Sequence, residues 1–145
     1  MIALTPEALD PMALVAAVAD PDHGGTATFL GTTRREAGRR EVAELRYEAY
    51  EELALAELAA IAAEAEERFG ARVALAHRIG PVAVGEPSVA VAASAGHRPA
   101  AFAACRYVID ELKARAPIWK QTAYADGATS WVDGCAVPQP AGALG

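Results

Sequence analysis

Two long segments of this chain carry apolar side chains at helical spacing, and each lies between segments with the composition of strands. The first is residues 51–69, and Gly70 follows it where a helix would end. The second runs from about residue 99 to residue 115 and stops before Pro117. A helix with one apolar face has to bury that face, and the flanking segments offer a sheet as its partner. The chain is therefore predicted to have an α+β fold.

The remaining segments give the order of the other elements. Thr5 and Pro6 are typical of a helix start, and that helix would end before Pro21. Strands are predicted at residues 26–33, 42–47, 73–79, 88–94, 119–124 and 130–132. The absence of an internal repeat or linker predicts one domain over residues 1–136 and a loose tail over residues 137–145. We expect a two-layer sandwich, similar to an α/β-hammerhead, with helices packed on one side of a mainly antiparallel sheet.

Length and charge restrict the class of protein. At 145 residues the chain is long enough to close a hydrophobic core, and 53% of its residues are hydrophobic. No apolar run approaches the roughly 20 residues of a membrane helix, and the N-terminus lacks the pattern of a secretory signal. These features predict a soluble cytoplasmic protein without a membrane partner. The net charge of −6 argues against a nucleic-acid partner, because nucleic-acid binders usually carry a cationic excess.

Lysine is used only twice in this chain. Of 13 cationic side chains, only Lys113 and Lys120 are lysines, and they lie close together in sequence. Arginine stays charged, whereas burial or neighbouring cations can lower the pKa of a lysine until its amine acts as an acid, a base or a nucleophile. The segment between the lysines is therefore the first place to look for chemistry, although two lysines can also share a solvated surface by accident.

Further cationic groups are predicted at the ends of elements. Arg34 follows the first predicted strand, His97 and Arg98 precede the second long helix, and the two lysines, Lys113 and Lys120, flank its far end. Groups at element ends can converge on one pocket. Backbone N–H groups at a helix start favour an anion, and arginine can bind phosphate through two hydrogen bonds. The five groups together predict an anion-binding pocket, whereas His97 alone would indicate a capping or surface residue.

Other reactive residues leave alternatives open. His77 lies on a predicted strand, where a structural hydrogen-bonded role and a functional role are equally open. Cys105 falls on the apolar stripe of the second long helix, which indicates a core residue, and Cys135 lies near the tail. The chain lacks a dinucleotide-binding glycine motif, a phosphate-binding loop, an HExxH motif and paired cysteines. No metal and no cofactor are predicted, so positioned cations and acid-base groups would carry any chemistry.

Several short segments, in the same order and within about residues 24–132, match the pattern of one known family. They are Phe29-Leu-Gly-Thr-Thr-Arg34, Leu45-Arg-Tyr-Glu-Ala-Tyr50, His77-Arg-Ile-Gly80, Val84-Gly-Glu86, Ser94-Ala-Gly-His-Arg98, Ala101-Phe102, Ile109-Asp-Glu-Leu-Lys113, Ala116-Pro-Ile-Trp-Lys120 and Trp131-Val132. Together these segments resemble the catalytic large subunit of molybdopterin synthase.

The resemblance implies a sulfurtransferase of molybdenum cofactor biosynthesis. Members of this family convert cyclic pyranopterin monophosphate, also called precursor Z, into molybdopterin by installing a dithiolene. The sulfur comes from a small ubiquitin-like subunit whose C-terminal Gly-Gly carries a thiocarboxylate. The large subunit forms a homodimer with one small subunit at each end, giving a heterotetramer, and the tail of the small subunit enters the active-site pocket.

The resemblance also implies roles for individual residues. Arg34, His97 and Arg98 match the substrate-binding positions of the family, where they would clamp the phosphate and the pterin. Lys113 and Lys120 match its essential lysines. Lys113 would orient the tail and stabilise charge on its carbonyl, and Lys120 would act as general acid and base.

The chain departs from the family pattern at a few positions. Gln121 and Thr122, which are also expected to contact the substrate, stand where charged residues are frequent. Thr32 and Thr33 occupy positions that often include a lysine, and Cys135 replaces an arginine found in some members. These departures concern the finer contacts with the anion and leave the five central residues in place.

Two other functions are compatible with the residues. One is a non-catalytic dimeric adaptor that binds the tail of a ubiquitin-like sulfur carrier and uses the lysines only as docking charges. The other is a cysteine-persulfide sulfurtransferase, which would need Cys105 or Cys135 to be exposed and activated. Product formation and the activity of a cysteine-free variant distinguish them.

Overall fold

The computed structural model describes residues 1–132 of the protein. Within these residues the helices are α1 (Pro11–Ala17), α2 (Glu51–Phe69) and α3 (Arg98–Arg115). The strands are β1 (Ile2–Thr5), β2 (Gly25–Thr32), β3 (Glu36–Ala37), β4 (Arg40–Ala49), β5 (Arg72–Arg78), β6 (Gly80–Ala83), β7 (Pro87–Ala95), β8 (Ile118–Tyr124) and β9 (Thr129–Val132). Cys135 and the predicted tail at residues 137–145 lie outside the described part of the chain.

The strands form two sheets. The first has the order β1-β5-β7-β2, and only its β1–β5 pair is parallel. In the second, β4 pairs with β3, β6 and β8, and β8 pairs with β9, all antiparallel. The predicted α+β class with mainly antiparallel pairing is confirmed, and the strands divide into two sheets. The prediction missed the short strands β3 and β6, which both pair with the long strand β4.

The main core lies between the first sheet and the helices α2 and α3. Leu75 of β5 packs there with Leu58 of α2 and Leu112 of α3, and all three are fully buried. Burying a side chain of this size contributes about 1.5–3 kcal/mol. Ala116 and Ile118 continue the same core directly after α3. This packing fixes the end of α3 relative to the start of β8, the two elements that carry the lysines.

The first helix is placed differently from the prediction. The residues around Thr5 belong to β1, which runs parallel to β5, and α1 begins only at Pro11. Asp10 is the cap, because its carboxylate accepts hydrogen bonds from two backbone N–H groups of the first turn. The combination of a capping side chain and a following proline thus occurs at Asp10, and the predicted start at Thr5 and Pro6 is wrong.

Helix α1 also covers the opposite face of the first sheet from α2 and α3. Ala74 and Ala92, on the second faces of β5 and β7, pack against Leu14 and Val18 around α1. The expectation of helices on one side only is therefore wrong. The central strands β5 and β7 are apolar in nearly every position, which is typical of strands that are covered on both faces. None of the helices in residues 1–132 is long and apolar enough to cross a membrane.

Candidate functional site

A pocket of about 230 Å³ is lined by both lysines of the chain. We call it the lysine pocket. It lies where α3 ends and β8 begins, and residues of β2, β4 and the β3–β4 hairpin close its other sides. Its polar and charged lining residues are Thr32, Arg34, Glu36, Tyr47, Ser88, Lys113, Lys120 and Thr122. Three of the five groups predicted to converge, Arg34 and the two lysines, thus share one pocket.

The two lysines reach the pocket from consecutive elements. Lys113 lies in the last turn of α3, where the carbonyl end of the helix favours a cation. Lys120 is half-buried on β8, after the chain turns at Ala116 and Pro117. Both ammonium groups act electrostatically on His77, so they stand at the same end of the main core. Two neighbouring positive charges attract an anion more strongly than one does.

Arg34 is placed by a tight contact between the end of β2 and a turn. The N–H of Thr33 donates to the carbonyl of Glu86 at 3.0 Å, and the N–H of Gly85 donates to the carbonyl of Thr33 at 2.8 Å. Gly85 has a φ of 86°, which glycine adopts without strain. Thr33 is buried by this contact, whereas Thr32 is exposed and lines the pocket. The backbone just before Arg34 is therefore held in place where it reaches the pocket.

The hairpin of β3 and β4 forms one wall of the pocket and is fastened to β8 and its turn. The guanidinium of Arg40 lies 3.7 Å from the centroid of the Tyr124 ring. The same guanidinium is 3.1 Å from a carboxylate oxygen of Asp126. Because Tyr124 ends the strand that carries Lys120, these contacts hold the hairpin beside the lysine.

Two hydroxyl groups that line the pocket, those of Tyr47 and Ser88, were not predicted from the sequence. Tyr47 of β4 stands opposite Lys120 of β8 in the register of the second sheet. Its hydroxyl donates to Ser88 Oγ at 3.2 Å, and Ser88 donates to the carbonyl of Gly31 at 3.3 Å. Only the pairing of β4 with β8 brings Tyr47 to the lysine, and no local sequence signal carries that information.

The two positions after Lys120 face different ways. Side chains alternate along a strand, so Lys120 and Thr122 share a face of β8. Thr122 is buried and lines the pocket. Gln121 lies on the other face and is not part of the pocket lining among the described residues. The structure therefore brings Thr122, and not Gln121, to the lysines.

His97 and Arg98 lie at the opposite end of α3. At about 1.5 Å of rise per residue, Arg98 and Lys113 are roughly 22 Å apart along the helix axis. His97 occupies the capping position, but its side chain makes no capping hydrogen bond, and both residues are exposed. The first turn of α3 contains no acidic residue. Within one chain, these two residues do not join the lysine pocket.

The start of β2 lies directly against this end of α3. A Cβ atom at Gly25 would approach the backbone of Arg98 to 3.2 Å, and one at Gly24 would approach the carbonyl of Gly96 to 2.9 Å. A Cβ at Gly24 would force the backbone to shift, and one at Gly25 would require its neighbour to move by a few tenths of an ångström, so glycine suits both positions. His97 and Arg98 therefore stand beside the first residue of β2, while Arg34 follows its last residue.

Arg115, two residues beyond Lys113, is used in a different way. Its guanidinium binds Glu64 at 2.7 and 2.9 Å and Glu57 at 2.7 Å, which connects α3 to α2. Hydrogen bonds from Arg115 and from Tyr107 lower the pKa of Glu64 to about 2. These carboxylates neutralise Arg115, so it is not available to the anion expected in the pocket.

Cys105 lies in the main core and is nearly inaccessible to solvent. Burial raises the pKa of its thiol to about 11, so the thiol stays protonated at neutral pH. A protonated thiol is a poor nucleophile. In residues 1–132, no group of three or more His, Cys, Asp or Glu side chains is arranged to hold a metal ion.

Fold and pocket together define a class of protein. It is an α+β protein that places two lysines and an arginine in one pocket at the end of its core. The sequence model of the MoaE protein family matches residues 4–115, and the chain belongs to this family.

Individual relatives agree with this assignment. A molybdopterin synthase catalytic subunit from Oryza sativa subsp. indica is 54% identical over 120 residues, which are 82% of this chain and 62% of the rice protein. A protein of the same name from Thermoplasma volcanium is 40% identical over 131 residues, 90% of this chain and 96% of that protein. The chain thus spans about three fifths of the rice relative and nearly all of the archaeal one.

A solved structure shows the same fold. The crystal structure of molybdopterin synthase from Staphylococcus aureus superimposes with a TM-score of 0.85 at 29% identity, and the match covers 88% of this chain and 93% of that one.

Proposed function

We propose that this protein is the catalytic subunit of a molybdopterin synthase and transfers sulfur from the thiocarboxylated tail of a small ubiquitin-like subunit to precursor Z. The observation that carries the proposal is that the only two lysines of a MoaE-family chain meet Arg34 in one pocket. The proposal includes the cytoplasmic location expected from the sequence.

The charge of the pocket suits both reactants. Precursor Z carries a cyclic phosphate, and the tail of the small subunit ends in an anionic thiocarboxylate. The protein as a whole has a net charge of −6, so the cations of the pocket form a local attractive site on an acidic protein. Such charges act more strongly in a partly closed pocket than in water.

The transfer itself needs no redox partner. In each of the two steps the thiocarboxylate sulfur forms a C–S bond with the pterin side chain, and the bond to oxygen at that carbon breaks. One of the two oxygens stays on the phosphate, which opens the cyclic ester, and the other leaves as water. Water attacks the acyl carbon of the tail, its C–S bond breaks, and the tail leaves as a carboxylate. Lys113 stabilises the negative charge on the tail carbonyl while sulfur leaves, and Lys120 moves protons to and from the departing oxygen.

His97 and Arg98 enter this scheme through a second copy of the chain. Strand β2 is an edge strand and exposes the apolar side chains of Phe29 and Leu30, while Phe102 near the start of α3 is also exposed. An exposed edge with apolar side chains favours pairing with another strand. The homodimer implied by the resemblance can form through these edges.

Two-fold symmetry then brings the separated residues together. In an antiparallel pair of two β2 strands, the start of one strand lies beside the end of the other. His97 and Arg98 stand at the start of β2, and Arg34 follows its end. Each lysine pocket would therefore receive His97 and Arg98 from the other chain, where they bind the phosphate.

Reconstitution tests the function. We expect the protein, mixed with a thiocarboxylated small subunit and precursor Z, to yield a dithiolene product that is detected as its fluorescent oxidised derivative. The small subunit with a plain C-terminal carboxylate is the matched control and should bind without giving product. A stable complex that gives no dithiolene with the thiocarboxylated partner would indicate an adaptor and contradict the proposal.

A cysteine-free variant tests where the sulfur resides. With Cys105→Ala and Cys135→Ser combined, we expect the rate of dithiolene formation to stay within about twofold of the unmodified protein, because the proposed sulfur donor is the tail of the small subunit. The buried Cys105 thiol, whose pKa is raised, is in addition a poor nucleophile. The measurement is a single-turnover assay with a thiocarboxylated small subunit. Loss of activity in a folded variant would support a persulfide route instead.

A further inference from the structure

His77 is a buried imidazole that the proposed mechanism does not use. It lies near the end of β5 and is only 1% exposed. It shares a face of the strand with Val73 and Leu75, which belong to the main core under α2 and α3. Its ring contacts Tyr47, which lines the lysine pocket, so His77 lies between this core and the pocket.

One hydrogen bond fixes the tautomer of the neutral ring. Nδ1 of His77 lies 2.8 Å from the carbonyl oxygen of Arg78, and a carbonyl only accepts, so Nδ1 carries the proton. Nε2 then carries the lone pair of a neutral imidazole. Burial, opposed by this bond and assisted by the charges of Lys113 and Lys120, lowers the pKa of His77 to about 4. The ring is therefore uncharged at neutral pH.

The His77 ring also packs against Tyr47, one of the residues that line the lysine pocket. It meets the Tyr47 ring edge to face, with 4.9 Å between centroids and an angle of 69° between planes. On its other side, Tyr47 is held by the hydrogen bond to Ser88. Tyr47 stands opposite Lys120 in the β4–β8 register. The orientation of Tyr47, beside Lys120, therefore depends on the His77 ring, which does not itself line the pocket.

We infer that His77 is a positioning residue for the lysine pair: its uncharged imidazole, packed behind Tyr47, keeps the ammonium groups of Lys113 and Lys120 directed into the pocket. The chemical meaning of this role rests on the proposed sulfur transfer. The physical reason is that a neutral ring next to two cations adds no repulsion. A protonated ring would be a third positive charge at the same place and would push the ammonium groups away.

The charged surroundings of His77 come from a few elements. Helix α3 contributes Lys113, β8 contributes Lys120, and β4 contributes the phenol of Tyr47. Arg78, next in the chain, is paired with Glu86 at 3.2 Å. The flanking strands β1 and β7 place Leu4 and Val89 opposite His77, and neither carries a charge.

The charges around His77 make its positioning role dependent on pH. Because the pKa of folded His77 is lowered to about 4 from the ordinary value of 6.5, the unfolded chain binds a proton in this interval that the folded chain does not. The stability that the neutral ring contributes is present above about pH 6.5 and is lost as the pH falls toward 4. The arrangement of the lysines should change over the lower part of the same interval.

The small number of lysines makes the test direct. Protein labelled with ¹³C at the lysine side chains gives two signals, both from the pocket. In the folded wild-type protein we expect at least one lysine signal to show a titration step below pH 6, as His77 takes up its proton. In His77→Asn, whose amide nitrogen can replace Nδ1 as donor to Arg78, this step should disappear. Ile61→Val, a core change on α2, is the control and should retain it.

Activity supplies the second measurement. We expect folded His77→Asn to lose about 10- to 100-fold in single-turnover rate, the effect of displaced catalytic groups, while its affinity for the small subunit stays within about threefold. The absence of an acidic step in the wild-type lysine signals would overturn the inference, and so would a folded His77→Asn with unchanged lysine signals and rate. If wild-type protein makes no dithiolene at all, the proposed function fails, and the lysine titration still decides the role of His77.

Discussion

Replacing Lys120 with alanine is expected to reduce dithiolene formation by roughly 10²- to 10⁴-fold, the range that a positioned general acid or base contributes. Lys120 is half-buried in the pocket and faces Tyr47, so alanine removes the proposed acid-base amine together with its charge while leaving the backbone pairing of β8 intact. Binding of the small subunit should change little, because docking uses a surface much larger than one side chain. Single-turnover assays and an equilibrium binding measurement check the two parts separately.

Two further variants make this test specific. Lys120→Arg keeps a positive charge but cannot give up its proton at neutral pH, so it should bind precursor Z and remain inactive. Arg106→Ala removes an exposed cation of α3 whose only ion pair in the described residues, with Asp110, lies at the surface, and it should react at the normal rate. Normal turnover by Lys120→Ala would refute the acid-base role, and full activity of Lys120→Arg would reduce that role to charge alone.

The sequence predicted the elements whose signals are local. Helix α2 has the predicted bounds, and Gly70 ends it with a φ of 62°, a conformation that suits glycine. The start of α1 was predicted wrongly because two sites carry the same signal. Thr5-Pro6 and Asp10-Pro11 both place a capping side chain before a proline. The choice between them is tertiary, since the residues around Thr5 pair with β5, more than 60 positions away. No window of neighbouring residues contains that information.

The same distinction applies to the pocket. Lys113 and Lys120 were predicted to meet because both flank the far end of the second long helix, and the structure places them in one pocket. Tyr47 and Ser88 were missed because strand pairing brings them there. The separation of Arg98 from Lys113 was already present in the sequence, since a helix that spans both residues holds them roughly 22 Å apart. Charge alone does not show that groups converge, and element length has to be considered with it.

Because roughly 22 Å separates Arg98 from Lys113 within one chain, Arg98 is proposed to act in the pocket of the other chain. If Arg98 serves the pocket of the other chain, Arg98→Ala and Lys120→Ala should each be nearly inactive as homodimers, and mixing them should restore activity. In a mixed dimer, one pocket carries both substitutions and the other carries none. Random exchange of chains makes about half of the dimers mixed, so the mixture should recover about a quarter of the wild-type rate per chain. The assay is dithiolene formation after the two proteins are unfolded and refolded together.

The controls separate this arrangement from the alternatives. Mixing Lys113→Ala with Lys120→Ala should restore little, because both lysines belong to the same chain's pocket and each pocket of the mixed dimer lacks one of them. A charged substitution at the exposed β2 edge, Leu30→Glu, should weaken the dimer in sedimentation and lower activity in parallel, since each chain would bring a carboxylate to the proposed β2–β2 edge. Absence of recovery in the Arg98 and Lys120 mixture, under conditions in which chain exchange is demonstrated, would mean that Arg98 does not act across the dimer. A single-chain pocket would then have to function through Arg34 and the lysines alone.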